Sequence, residues 1–139
     1  MAKDKYHDLV RTALENEGWT VTHDPYFIRI GKRKGYIDLA AEREIIAAER
    51  GSEKIAVEIK SFLGASELSD FEDALGQFMI YWLVLEESDP NRLLYLAVPS
   101  KFFEAFFDDT FFVRLLKRFN VQLIVFNPQK SIIEQWIKL

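Results

Sequence analysis

Residues 92–98, RLLYLAV, form a near-continuous apolar run that Pro99 ends. A strand of this kind has no polar face to give to water, so it must be covered on both sides. The proline lacks the N–H that a ladder needs and stops it. A chain containing this run requires a sheet sandwiched between layers. At 139 residues and 49% hydrophobic, it carries enough apolar material for one compact domain over 1–139, and it is too short for two ordinary ones.

The flanking patterns supply the layers. Tyr6, Leu9, Val10, Ala13 and Leu14 recur at helical spacing within Asp4 to Glu17, and Gly18 follows as a cap. WTVTHD alternates like a strand up to Pro25, YFIRI resumes it, and GKRKG turns into YIDLAA, so these segments read as a hairpin. EREIIAAER has helix formers, but ERGSEK turning into IAVEIK suits a second hairpin, and that reading is preferred. After the loop SFLGASELSD, Ser69 and Glu72 form a capping box. It opens a long helix with an apolar face of Phe71, Leu75, Phe78, Met79, Trp82, Leu83 and Leu85, ending near Ser88 to Pro90. SKFFEAFFDDTFFVRLLKRFN gives one or two short helices, with Asp109 or Thr110 as a cap at the break, before the strand VQLIVF and a final SIIEQWIKL that is a candidate last strand. Strands interleaved with helices predict an α/β fold, a mixed central β-sheet with helices on both faces.

Composition removes several function classes. With no cysteine there is no disulfide framework, thiolate metal site or cysteine nucleophile, as suits a reducing cytoplasm. The start MAKDKYHDLV lacks the apolar core of a signal peptide, and FMIYWLVL is far short of a membrane span, so a cytoplasmic protein with no membrane partner is expected. A net charge of −4 argues against a broad basic face for duplex DNA. His7 and His23 stand without a second His or Cys at ligand spacing and are read as surface or satisfied histidines.

The chemistry concentrates in VEIKSF, residues 57–62. On a strand, Glu58 and Lys60 project to one face while Val57 and Ile59 face the other. Alone, the pair is the ordinary charge pattern of a solvated strand face. If YIDLAA neighbours IAVEIK, Asp38 reaches the same patch, and two carboxylates and an ammonium converge. Two oxygen-donor acids suit Mg²⁺ or Mn²⁺, with the lysine meeting negative charge as it develops on a phosphate. Gln77 and Tyr81, four apart, share a helical face and can position a phosphate or a base, or else form the polar edge of a core helix. Glu15 or Glu17 on the first helix is a candidate third carboxylate. Lys32, Arg33 and Lys34 are either a solvated hairpin tip or a grip on the nucleic-acid backbone beside Asp38. Phe102, Phe103, Phe106, Phe107, Phe111 and Phe112 are either core, one ring of each doublet buried while its neighbour leans aside, or too many to face one sheet, the surplus marking a homodimer or partner surface.

YID, VEIK and QFMIY, set between an opening helix and a later strand-helix-strand, resemble the PD-(D/E)XK nuclease superfamily over nearly the whole chain. GYIDLAAER, GSEKIAVEIKSF and DFEDALGQFMIYWLVL are similar to the XisH family of fdxN element excision controlling factors. The resemblance implies a restriction-endonuclease-like core and an accessory role in programmed, site-specific excision of a DNA element during heterocyst differentiation. It implies DNA, a recombinase and a small XisI partner as associates. It casts Asp38 and Glu58 as metal positions, with Glu15 as a possible third. Lys60 becomes catalytic, and Gln77 and Tyr81 match the Q-x-x-x-Y extension of the exonuclease-like branch. Ile37 stands where the superfamily has a proline, which removes no ligand. Two outcomes are open: a metal-dependent DNase, or a silent nuclease fold that binds DNA or XisI.

Overall fold

The computed structural model describes residues 3–45 and 51–138. The elements in order are α1 (His7–Asn16), β1 (Thr20–His23), β2 (Tyr26–Ile30), β3 (Arg33–Ile37), β4 (Leu39–Ile45) and β5 (Gly51–Ile59). Then come α2 (Glu67–Ser88), β6 (Arg92–Pro99), α3 (Ser100–Phe107), α4 (Thr110–Arg118), β7 (Leu123–Asn127) and β8 (Ile132–Ile137). The apolar run is β6, inside a six-stranded sheet of order β1-β4-β5-β6-β7-β8. It is parallel to both neighbours, while the pairs β1/β4, β4/β5 and β7/β8 are antiparallel. The sheet is mixed, as expected.

Alternation along β6 divides the core. Leu94, Leu96 and Val98 join Phe71, Ala74, Phe78 and Leu85 of α2, Phe102 of α3 and Leu116 of α4 on one side. Tyr95 and Ala97 join Val10 and Leu14 of α1 with Trp19 on the other. Each large side chain buried this way contributes about 1.5–3 kcal/mol, which is why β6 is apolar throughout. Among the described residues, no helix is long and apolar enough to cross a membrane.

Several sequence expectations need correction. The first hairpin forms between YFIRI and the start of YIDLAA, with Tyr26 opposite Ile37 and Phe27 opposite Tyr36, but it ends at Ile37 instead of running through Ala41. β2 pairs with β3 across the two-residue turn Gly31-Lys32, where Gly31 takes a φ of 61° that favours glycine. β4 leaves this hairpin and pairs with β1 and β5. The second hairpin forms, β4 against β5 with Ile45 opposite Gly51, although residues 46–50 of its turn lie outside the described residues. The cap of α2 lies one turn earlier than Ser69: the Ser66 hydroxyl accepts from the Ser69 amide. Asp109 caps α4 through the Phe111 amide.

The apolar surplus also sits elsewhere. Phe102, Phe106 and Phe112 pack with one another and with Phe71, and of the six phenylalanines only Phe111 is largely exposed. Instead Met79, Trp82 and Leu83, expected on the buried face of α2, lie exposed together with Ile80. The helix buries Tyr81 rather than Trp82, because the buried set Phe71, Ala74, Phe78, Tyr81 and Leu85 keeps the i, i+3, i+4, i+7 stripe.

Candidate active site

β3 belongs to the hairpin and β4 to the large sheet, and Asp38 is the bend at which the chain crosses between them. It is therefore not a strand residue, as the sequence suggested. The β4/β5 register pairs Leu39 with Val57, so one step further brings Asp38 opposite Glu58. There the backbone ladder gives way to a side-chain exchange. The Asp38 amide donates to Glu58 Oε1 at 3.3 Å, and the Ile59 amide donates to Asp38 Oδ2 at 2.8 Å. Each carboxylate is fixed by one backbone N–H and keeps oxygen valence for a ligand.

Glu58 is not on an open face. Its side of β5 is covered by α2 and the hairpin, and it is 8% exposed. Burial, and then the charge of Asp38, push its carboxyl up to about 8. Asp38 is also raised, first by burial, against the opposing pull of the Ile59 amide and the charge of His7. β5 ends at Ile59, and Lys60 follows with its amide still bonded to the Ala97 carbonyl, which holds it at the strand's end. Gln77 and Tyr81 of α2 complete the wall. Burial and then the charges of Glu58 and Asp38 push the Tyr81 phenol up to about 12, so it stays a protonated donor. Gln77 Oε1 is buried and has no hydrogen-bond partner among the described residues, which leaves it free to accept.

These side chains line a cleft of about 460 Å³ at the C-terminal end of β5, a usual place for ligands in such sheets. The cleft gathers Asp38, Glu58, Lys60, Gln77, Tyr81 and, of the basic cluster, Lys34 alone. Lys32 lies in the hairpin turn and Arg33 at the start of β3, both exposed. Glu15 is a correction: it is not among the lining residues and lies 3.8 Å from Arg11 on its own helix. The opening segment contributes Lys3 and Asp4 instead. Asp4 accepts from the Tyr6 amide with one oxygen and from the Ser61 amide with the other, tying the amino-terminal segment to the loop after Lys60. No sequence spacing announces a contact of that separation. Tyr36 was also missed, although its place two residues before Asp38 is a usable signal. Of the two alternatives for the histidines, His7 takes the satisfied one: it is buried, with Nε2 2.6 Å from Asp24 Oδ1.

Among the described residues no cluster of three or more His, Cys, Asp or Glu stands ready for a metal ion. The donors present are oxygens: two carboxylates without a neutralising cation bonded to them, and the unpartnered Gln77 amide oxygen. That set fits Mg²⁺ or Mn²⁺, which bind through one or two carboxylates and fill the remaining positions with water and substrate phosphate. It does not suit zinc, which favours nitrogen and sulfur.

A family model described as XisH protein matches residues 1–134. Among solved structures, an XisH family protein from Nostoc punctiforme PCC 73102 superposes with a TM-score of 0.87 at 39% identity, covering 97% of this chain and 100% of that one. An fdxN element excision controlling factor protein from Anabaena variabilis superposes with a TM-score of 0.86 at 39% identity, covering 98% and 100%. Among curated proteins, none matches.

Proposed function

Given that the chain belongs to the XisH family, we propose that it is a single PD-(D/E)XK nuclease-like domain that hydrolyses DNA phosphodiesters while controlling excision of a DNA element. The observation that carries this reading is the pair of backbone-anchored, unneutralised carboxylates, Asp38 and Glu58, opening with Lys60 into one cleft. A buried and a half-buried acid without a bonded cation are costly to a fold, and their raised proton affinities express that cost.

Asp38 and Glu58 would hold Mg²⁺ or Mn²⁺, with Gln77 Oε1 available to one of its waters. When bound, the ion supplies charge neutralisation at the phosphate and a more acidic water. The chain's own residues do the rest. Lys60 offers a positive charge where negative charge grows on the phosphoryl oxygens during in-line attack by water. Tyr81 donates its O–H to a phosphate oxygen or a base, and Lys34 holds the approaching backbone. Hydrolysis breaks a P–O bond and leaves one phosphate end and one hydroxyl end. The test is incubation with single-stranded, duplex and branched DNA in Mg²⁺ or Mn²⁺. Cleavage is expected, and Lys60→Ala should lower its rate about 100-fold. No cleavage of any substrate, or cleavage indifferent to Lys60→Ala, overturns the reading.

One observation favours a second reading. The exposed Met79, Ile80, Trp82 and Leu83 on α2 form an apolar surface suited to a protein partner. In that case the fold is a silent module that binds DNA, an XisI-like protein or the recombinase machinery, or forms a homodimer. Co-purification with an XisI-like protein that survives Asp38→Ala and Glu58→Ala, together with absent cleavage, supports it.

A further inference from the structure

The β2–β3 hairpin has one face on the core and one in solvent. Ile28 and Ile37 are buried against the main core, with Tyr26 and Ile30 packed beside them. Gly35 keeps that face thin, since a Cβ there would come within 2.6 Å of the Ile30 side chain. The other face carries two successive rungs: Phe27 opposite Tyr36, and Arg29 opposite Lys34. Residues two apart share a face, so these four project together.

Both rungs are unusual for a mere covering hairpin. Phe27 is 70% exposed and Tyr36 38%, their rings 6.2 Å apart and nearly perpendicular. Arg29 and Lys34 are like charges directly opposed, an arrangement that costs stability. Among the described residues neither has an acidic partner, nor do the neighbouring Lys32 and Arg33. Tyr36 and Lys34 at the same time line the cleft that holds Asp38 and Glu58. The exposed rungs thus run continuously into the candidate active site.

We propose that this outer hairpin face is a loading platform for single-stranded DNA, on which Phe27 and Tyr36 stack bases while Arg29 and Lys34 contact phosphates, leading the strand into the Asp38–Glu58 cleft. The choice of a single strand follows from the rings. A duplex keeps its base faces stacked and offers nothing to an exposed phenyl group, whereas every unpaired base has a free π-face. It also follows from charge. A net −4 protein with a handful of cations on one hairpin cannot grip both backbones of a duplex, but can follow one. The platform rests on the reading of the cleft as a DNA site, yet it is testable without catalysis.

The experiment measures anisotropy of fluorescein-labelled oligothymidine and of a duplex of equal length, without divalent cation, using the full chain and its Asp38→Asn/Glu58→Gln variant. Both proteins should bind the single strand more tightly than the duplex. Phe27→Ala/Tyr36→Ala should weaken single-strand binding about tenfold or more, since base stacking on an aromatic is worth about 1–3 kcal/mol. Phe27→Trp should keep the affinity and show tryptophan quenching on binding, which separates stacking from a role in hairpin stability. Arg29→Glu/Lys34→Glu should lower the affinity and flatten its salt dependence. Binding that prefers duplex, no single-strand binding, or single-strand binding unchanged in a folded Phe27→Ala/Tyr36→Ala protein overturns the platform. Binding that follows these variants while no DNA is ever cut leaves the platform standing and removes the nuclease reading alone.

Discussion

Asp24 and Asp89, on the one hand, and Asp38 and Glu58, on the other, are all drawn in from solvent, yet their proton affinities move in opposite directions. For Asp24, burial works to raise the carboxyl but is outweighed by hydrogen bonds from Arg11, at 2.7 Å, and His7. For Asp89, burial is outweighed by Arg92, whose Nε donates at 2.8 Å, and by the Tyr26 hydroxyl. Both fall below the ordinary value. Asp38 and Glu58 receive backbone amides but, among the described residues, no cation within bonding distance, and both rise. The first pair is satisfied within the chain and serves the fold. The second has no such side-chain cation among the described residues, and that contrast is what makes Asp38 and Glu58 the candidate site.

Arg92 offers the largest way to test the contrast. It is 7% exposed, donates to the Ile55 carbonyl at 3.0 Å as well as to Asp89, and lies over the Tyr26 ring. Arg92→Met should destabilise the protein by about 3–5 kcal/mol in urea denaturation, because Asp89 loses its counter-charge. A loss below about 1 kcal/mol would remove Asp89 from the structural class.

Glu58→Gln should have the opposite sign. A carboxyl raised from its ordinary 4.5 to about 8 binds its proton more tightly folded than unfolded. Its stabilising contribution is complete below 4.5 and lost as pH rises through 8. The variant should therefore be more stable than the parent at pH 8.5, by about 2–4 kcal/mol, and equal to it near pH 4. Asp24 and Asp89, lowered in the fold, contribute stability above 3.8 that is lost as pH falls through their folded values. A urea series across pH should show both flanks, and only the alkaline one should shrink in Glu58→Gln, leaving the part that Asp38 contributes.

Mg²⁺ sharpens the same contrast with a smaller effect. At ten times its dissociation constant it should stabilise the parent by about 1.4 kcal/mol, read as a rise in Tm. It should leave Asp38→Asn/Glu58→Gln unmoved. Equal shifts in both would place the ion elsewhere. The smallest change expected is for Arg11→Met. Arg11 is partly solvent-exposed, so its loss should cost about 1 kcal/mol or less, and only above the folded value of Asp24.

Part of this site is legible in the chain. Glu58 and Lys60 fall at the end of an apolar strand, and Gln77 and Tyr81 repeat at helical spacing, because periods of two and 3.6 are written locally. Asp38 was legible as a neighbour but not as a bend, since nothing in YIDLAA says that the chain changes sheets within it. Glu15 was misplaced for a related reason. Helical spacing orders the side chains of α1 around its axis but does not say which of them turns toward β5.

The sequence alone determined that β6 must be central, that helices must cover both faces, and that no cysteine of this chain can take part in any chemistry. Each of these depends on residue type and short-range periodicity. Only the tertiary structure decided that Asp4 reaches Ser61 and that Lys34 enters the cleft while Arg33 does not. It also decided that Glu58 lies buried under α2 and the hairpin while Phe27 remains in solvent. Those outcomes depend on which elements meet across long separations, and no local pattern records the closure of such loops.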